Sequence, residues 1–252
     1  MNNIIIKQLQ NRKSIREFTG EHVSDQDLDI ILKTAQRAPS SINAQQVSLV
    51  YTRDKDKIKK IAEFSGGQKQ VETADVFVAI IIDFNRTNHA SIATKKTQIV
   101  EKTAEGILMG SVDAGIMLNH LQSSAEALGY GTTAIGGIRA NSDKMIELFD
   151  LPKRTFIAVG STIGVPTIDA KNAILKPRVR FDSFAMKDTY DKDKVEIGAY
   201  AYNKEFKEFR ERTGSGSLPT YFEITSSAYE KSHFRKTGKV LESQGFKFSD
   251  VI

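Results

Sequence analysis

The sequence predicts one domain of mixed helices and strands with a C-terminal extension, and three observations carry that reading. A chain of 252 residues is long enough to bury a proper core without splitting into two independent units. The unbroken apolar run from Val76 to Ile82 reads as a strand buried on both faces. Beyond Pro166 the core pattern fades, and from Asp169 onward charges are many and contiguous apolar residues few. The expected division is therefore 1–168 for the core and 169–252 for the extension.

The elements follow in order. Ile4 to Leu9 reads as a short helix, and Ser24 caps a second helix whose Leu28, Ile31, Leu32 and Ala35 share one face until Pro39 stops it. Gln46 to Thr52 is a strand, Lys55 to Phe64 a helix, and Asp75 to Phe84 the buried strand. A long helix is expected from about Gln98 to Leu128, with Gly106, Gly110 and Gly115 opening it to close contact, as across a subunit interface. There follow a strand from Thr132 to Ile135, a helix capped by Asn141 and ended at Pro152, and a strand from Thr155 to Ile163. In the extension, only Lys194 to Arg212 and Ser226 to Gln244 read as helical, with Thr213 to Ser217 a flexible loop.

Composition narrows the function classes. There is no cysteine, so disulfides, thiolate nucleophiles and thiolate metal sites are excluded, and enzyme chemistry would have to come from a cofactor. The net charge of +5 invites a nucleic-acid reading. The densest basic stretch, Arg53 to Lys60, alternates with acids and reads as a solvated helix face, and no recognition-helix motif accompanies it; no nucleic-acid partner is expected. The Val76–Ile82 run falls far short of the roughly 20 residues of a membrane span, and the N-terminal stretch soon turns polar, so no membrane partner and a cytoplasmic location are expected. Histidines 22, 89, 120 and 233 show no metal-ligand spacing, so no metal is expected. Asn85-Arg86-Thr87 matches a glycosylation acceptor by chance. The glycines of Gly129-Tyr130-Gly131 imitate a dinucleotide-binding turn, but they follow a helix and open a strand, the reverse of what a pyrophosphate site needs; Gly129 reads instead as a helix C-cap.

Five short segments remain: Arg12-Lys13-Ser14-Ile15-Arg16, Pro39 to Gln45, Gly66-Gly67-Gln68, Ile135-Gly136-Gly137 and Lys176-Pro177-Arg178. Cations and hydroxyls suit a phosphate and a sugar-alcohol chain. Side-chain amides suit a ring edge that donates and accepts, and adjacent glycines let backbone N–H groups approach a flat ring. FMN asks for all of these.

The same segments, with Glu17-Phe18-Thr19 after the first and Ile138-Arg139 after the fourth, resemble the FMN-dependent nitroreductase superfamily over nearly the whole chain. Within it they are similar to the bacterial branch of NAD(P)H-dependent flavin reductases and oxygen-insensitive nitroreductases of the A type. The resemblance implies a homodimeric α+β flavoprotein with a mostly antiparallel sheet flanked by helices, two FMN sites at the subunit interface, and an extension that embraces the partner. It implies that Arg12, Lys13, Ser14, Lys176 and Arg178 hold the FMN phosphate, and that Arg16 lies at the N1 and C2 carbonyl edge, where it would stabilise the charge left by hydride arrival at N5. Ser40, Ser41, Asn43 and Gln45 would bind ribityl and ring polar groups, Gln68 the pyrimidine edge, and Ile135, Gly136 and Gly137 would also bind the cofactor, with the Gly136 N–H facing N5. The reaction implied is ping-pong transfer of two electrons from NADH or NADPH to small acceptors such as free flavin, nitroaromatics or quinones; the alternative on the same fold is a flavin-binding protein without turnover.

The nucleotide site departs from that pattern. An arginine like Arg212 is expected to hold the 2′-phosphate of NADPH together with further arginines that precede Trp-Ser, but here Thr213-Gly214-Ser215-Gly216-Ser217 follows and Tyr221 stands in the tryptophan's place. Dual use of NADH and NADPH is expected.

Overall fold

The computed structural model describes residues 3–231, 234 and 236–249. Helices α1 (Ile4–Gln10) and α2 (Asp25–Ala35) precede strand β1 (Val47–Thr52), followed by α3 (Lys55–Phe64), α4 (Lys69–Glu72) and strand β2 (Val76–Asp83). Then come α5 (Asn85–Ala93), the long α6 (Ala104–Ala127), strand β3 (Gly131–Ile135), α7 (Ser142–Leu148), strand β4 (Thr155–Gly164) and α8 (Ile168–Asn172). The remaining helices are α9 (Phe181–Phe184), α10 (Lys192–Arg212), α11 (Tyr221–Tyr229) and α12 (Thr237–Ser243). The chain forms two compact units: one of the chain up to Ala173 together with the chain from Phe234 on, the other of the stretch between.

In the first unit the four strands form one sheet of order β1-β2-β4-β3 with every neighbouring pair antiparallel. β2 is central and its residues from Val76 to Ile82 are all buried. Alternation divides them: Val76, Val78, Ile80 and Ile82 face a core shared with α2 and α6, whereas Phe77, Ala79 and Ile81 face one shared with α3 and α7. Helices on both faces explain why an antiparallel strand is apolar throughout rather than alternating. Between β2 and β4 the register shifts, with Ile80 opposite Val159 but Ile81 opposite Ile157. The extra residue flips the side-chain parity of β4, so Phe156 and Ile163 both reach the α2/α6 core despite their even and odd positions. The chain's return closes that core: Phe246 is fully buried, 6.0 Å from Phe84 and 6.5 Å from Phe156 between ring centroids.

Local chemistry sets several boundaries. Ser24 Oγ accepts from the Asp27 N–H as expected. The long helix starts at Ala104 rather than Gln98, because the Thr103 hydroxyl accepts from the Gly106 N–H and ends a preceding 3₁₀ turn over Val100–Lys102. Asn141 precedes α7, but its amide donates to Phe64 O (2.8 Å) instead of capping. Helix α5 follows β2 directly, its first turn beginning at Asn85. α6 ends as the sequence suggests: Gly129 has φ +90°, its N–H donates to Glu126 O and that of Tyr130 to Ala125 O, a Schellman closure. Of the three α6 glycines, Gly106 and Gly110 lie tight against Val100 and Ile82, while Gly115 faces open space.

The second unit is helical, and its interior is aromatic. Tyr202 stacks edge-on against Tyr221 (4.8 Å), Tyr200 against Phe222 (5.1 Å), and Phe206 lies 6.4 Å from Phe209. The stretch expected to be a flexible loop is a second Schellman turn, with Gly214 at φ +73° and the Ser215 N–H donating to Arg210 O (2.7 Å). α11 starts earlier than expected because Thr220 and Glu223 form a reciprocal capping box. The single helix expected over Ser226 to Gln244 is replaced by α11 and α12; residues 232, 233 and 235 of that span, with the His233 expectation, lie outside the described residues.

Candidate active site

The basic segment is laid along β3. The Ile15 N–H donates to Thr132 O (2.8 Å) and the Thr133 hydroxyl to Ile15 O, so Ile15 is buried and its neighbours Ser14 and Arg16 turn the other way. Arg12 is held against α6, its Nη2 donating to Gln122 Oε1 (2.7 Å) and its Nε 3.5 Å from Glu126 Oε1. Burial pushes the Glu126 carboxyl above its ordinary value, against the bond from Thr132 Oγ1 and the Arg12 charge. Lys13 Nζ donates to the carbonyls of Lys171 (3.0 Å) and Ala173 (2.5 Å), which ties the segment to the end of α8. Arg16 is exposed and makes no hydrogen bond or ion pair among the described residues.

The serine segment is a tight turn ahead of β1. Ser40 Oγ accepts from the Gln45 N–H (3.0 Å), and the Asn43 and Ala44 N–H groups donate to the carbonyls of Ser40 and Ser41. Ile42, Asn43 and Gln45 all have positive φ, at 48°, 56° and 56°. Two side chains from elsewhere reach the turn. Asp113 of α6 accepts from the Ser41 N–H (3.1 and 3.3 Å) and from Gln46 Nε2 (2.5 Å); Arg86 of α5 donates to Gln45 O and Ser48 Oγ. Ser40, Gln45, Arg86, Asp113 and Met117 line a recess of about 130 Å³. Burial pushes the Asp113 carboxyl up, partly opposed by the Ser41 N–H.

The third and fourth segments meet each other. Gly66 and Gly67 take positive φ to close α3, their N–H groups donating to Glu63 O and Ala62 O; they therefore deliver Gln68 rather than free N–H groups of their own. Gln68 Nε2 donates to Ser65 O (2.9 Å), its Oε1 accepts from Gln70 Nε2 (2.7 Å), and its side chain lies against Gly137. Ile135 is fully buried at the end of β3, and Gly136 and Gly137 open the 3₁₀ turn that follows. Arg139 ties that turn to β4 through Ala158 O, and burial pulls its guanidinium below its ordinary value.

In the second unit Lys176 and Arg178 are exposed; Arg178 stands close enough to Tyr202 to oppose the upward push that burial gives that hydroxyl. Arg212 is exposed on the last turn of α10.

Within the first unit, β3 joins the basic segment to the Gly137–Gln68 contact. The serine turn hangs from α6 at Asp113, nine residues from the Gln122 that holds Arg12, or about 14 Å along the helix. Asp113, Arg86, Gln122 and Glu126 were not singled out in the sequence. Asp113 carries a signal that could have found it: an acid between Gly110 and Ala114 on the buried face of a helix must be partnered.

This sheet, the helices on both its faces and the order of the polar segments are those of a flavin-dependent oxidoreductase fold. The model of the Nitroreductase family matches residues 9–165, and that of its C-terminal domain residues 176–249. The FMN reductase [NAD(P)H] of Bacillus subtilis is 37% identical over 249 residues, covering 97% of this chain and 98% of that one. The oxygen-insensitive NADPH nitroreductase of Salmonella typhimurium is 36% identical over 174 residues, 69% of each. Among solved structures, B. megaterium NfrA2 superposes with a TM-score of 0.94 at 36% identity, covering 98% of this chain and 100% of that one. The Vibrio harveyi NADPH:FMN oxidoreductase complexed with NAD+ gives 0.81 at 28%, covering 96% and 98%. The chain belongs to the Nitroreductase family, in its branch of FMN reductases and oxygen-insensitive nitroreductases, and is an oxidoreductase.

Proposed function

We propose that this chain is an FMN-containing, NAD(P)H-dependent oxidoreductase of the cytoplasm that passes two electrons to free flavin, nitroaromatics, quinones or similar small acceptors. The observation that carries the reading is the donor set laid along β3: Arg12, Lys13, Ser14 and Arg16 within five residues, fixed by the buried Ile15, with Arg16 lacking any partner among the described residues. A row of fixed donors beside an uncommitted guanidinium fits a phosphorylated, electron-accepting ring.

Bound FMN would supply the hydride chemistry, receiving two electrons from the nicotinamide nucleotide and yielding them to the acceptor. The protein's part is to bind and orient. Arg12, Lys13 and Ser14 hold the phosphate; the cost of desolvating a dianion calls for several charge-assisted donors. Arg16 places positive charge where the reduced ring carries negative charge. Ser40, Ser41, Asn43 and Gln45 bind polar groups of the sugar-alcohol chain and ring, and Gln68, Ile135, Gly136 and Gly137 form the wall at the ring edge. Nucleotide and acceptor are taken in turn, a ping-pong order in which proximity supplies most of the rate and no protein acid or base is required.

A second copy of the chain completes the site. Ile42 is 92% exposed on the serine turn, Leu108 and Val112 are 62% and 60% exposed on α6, and Ile4, Ile5 and Ile6 of α1 are all more than half exposed. Exposed apolar side chains on the serine turn, α6 and α1 fit burial against a second copy of the chain.

The purified protein's visible spectrum, taken anaerobically before and after NADH or NADPH, tests the reading. Yellow protein that bleaches with nucleotide and recovers with acceptor supports it. Yellow protein that neither nucleotide bleaches is a flavin-binding protein without turnover, and colourless protein that takes up no added FMN refutes the reading outright.

A further inference from the structure

We propose that Asp113 and Arg86 are positioning residues that clamp the Ser40–Gln45 turn in the left-handed form in which it meets the flavin; this rests on the FMN reading above. The turn does not hold that form by itself. An isoleucine at φ +48° is disfavoured because its branched Cβ crowds the backbone, and Asn43 and Gln45 add two more left-handed residues within four positions. Such a backbone persists only when its surroundings fix it at both ends.

Both ends are fixed. At the start, both oxygens of Asp113 take the Ser41 N–H, and one also takes the amide of the fully buried Gln46. At the finish, the Arg86 guanidinium grips the Gln45 carbonyl and the Ser48 hydroxyl, and Ser48 in turn donates to Asp83 Oδ2 (2.7 Å). Asp113 is 5% exposed and has no ion pair among the described residues, so its carboxylate bears a desolvation cost offset only by the Ser41 N–H and the Gln46 amide, both at the turn. Gln46 Oε1 is buried without a hydrogen-bond partner, so an amide at position 113 can serve as well as a carboxylate. With Gln46 flipped, such an amide would accept from Ser41 and donate to Gln46 Oε1.

The test is FMN affinity by fluorescence titration of apoprotein, together with amide exchange at Ser41 and Gln45 in the same flavin-free protein. Asp113→Ala is expected to speed both exchange rates and to raise the FMN dissociation constant tenfold or more, and Asp113→Asn to stay within about threefold of wild type. Arg86→Ala, a change at an exposed residue that leaves the core alone, is expected to weaken FMN by several-fold and decides the matter if Asp113→Ala does not fold. Wild-type affinity in both alanine variants overturns the proposal while leaving the FMN reading intact. Equal loss in Asp113→Ala and Asp113→Asn also overturns it, since charge rather than hydrogen bonding would then be at work. Wild-type protein that binds no FMN sinks the functional reading and the proposal together.

Discussion

Gln68 lies against the bare α-carbon of Gly137, and the Ser65 carbonyl oxygen stands 2.6 Å from where a Cβ on that glycine would be. The glycine pair after β3 therefore lets α3's closing turn and the β3 end touch, which brings two of the five polar segments into contact.

Gly137→Ala is expected to be destabilising, because the obstructing Ser65 oxygen is backbone and cannot swing aside. Overpacking of this kind costs about 1–3 kcal/mol, and for a protein of this size each kcal/mol lowers Tm by roughly 2–4 °C. Calorimetry of the flavin-free protein checks it; an unchanged melting temperature would mean that the contact yields freely.

Glu126→Gln should change the pH dependence of stability. The folded-state pKa of Glu126 is raised, chiefly by burial, so its contribution is fully present below its ordinary pKa and is lost as pH rises through the raised one. The glutamine has no such loss and still accepts from Thr132. Melting curves from about pH 4 to about pH 7 should show the variant gaining on wild type as pH rises. A constant difference would show that Arg12 cancels the burial cost.

The sequence made the sheet legible because β2 is apolar throughout and its neighbours are bounded by caps and turns; Ser24 and Gly129 mark ends that the structure keeps. It misplaced the start of α6, where Thr103 outcompetes an apolar pattern running back to Gln98, and the cap of α7, where Asn141 finds a tertiary partner in Phe64. The five candidate segments stood out because cations, amides and glycines cluster within each of them. Asp113 and Arg86, 72 and 41 positions from the residues they hold, were not, since contact between distant residues leaves no local spacing to read.

Arg16→Gln separates function from fold. The side chain is exposed and unpartnered among the described residues, so stability should stay within about 0.5 kcal/mol of wild type. Loss of a fixed charge at the developing anion should lower kcat/KM by about a hundredfold. Arg16→Lys should recover only part of it, because an ammonium lacks the planar fork. Wild-type turnover in the glutamine variant would remove Arg16 from the mechanism.

On the proposed reading, nucleotide preference turns on the end of α10, where Arg210 and Arg212 occupy the last turn. Arg210 is already committed: its guanidinium lies 4.6 Å from the Phe206 ring centroid and donates to Pro219 O, holding the Gly214 turn against the helix. Arg212 is left as the exposed cation with no partner among the described residues, and no second arginine follows it in the turn. One charge-assisted phosphate contact fewer removes ~1.5–3 kcal/mol of preference for NADPH. The kcat/KM for NADH should therefore at least match that for NADPH, and Arg212→Ala should weaken NADPH selectively while leaving NADH near its wild-type value. A preference for NADPH beyond about a hundredfold, or roughly 2.7 kcal/mol, would require a cation from outside this turn and would overturn the argument.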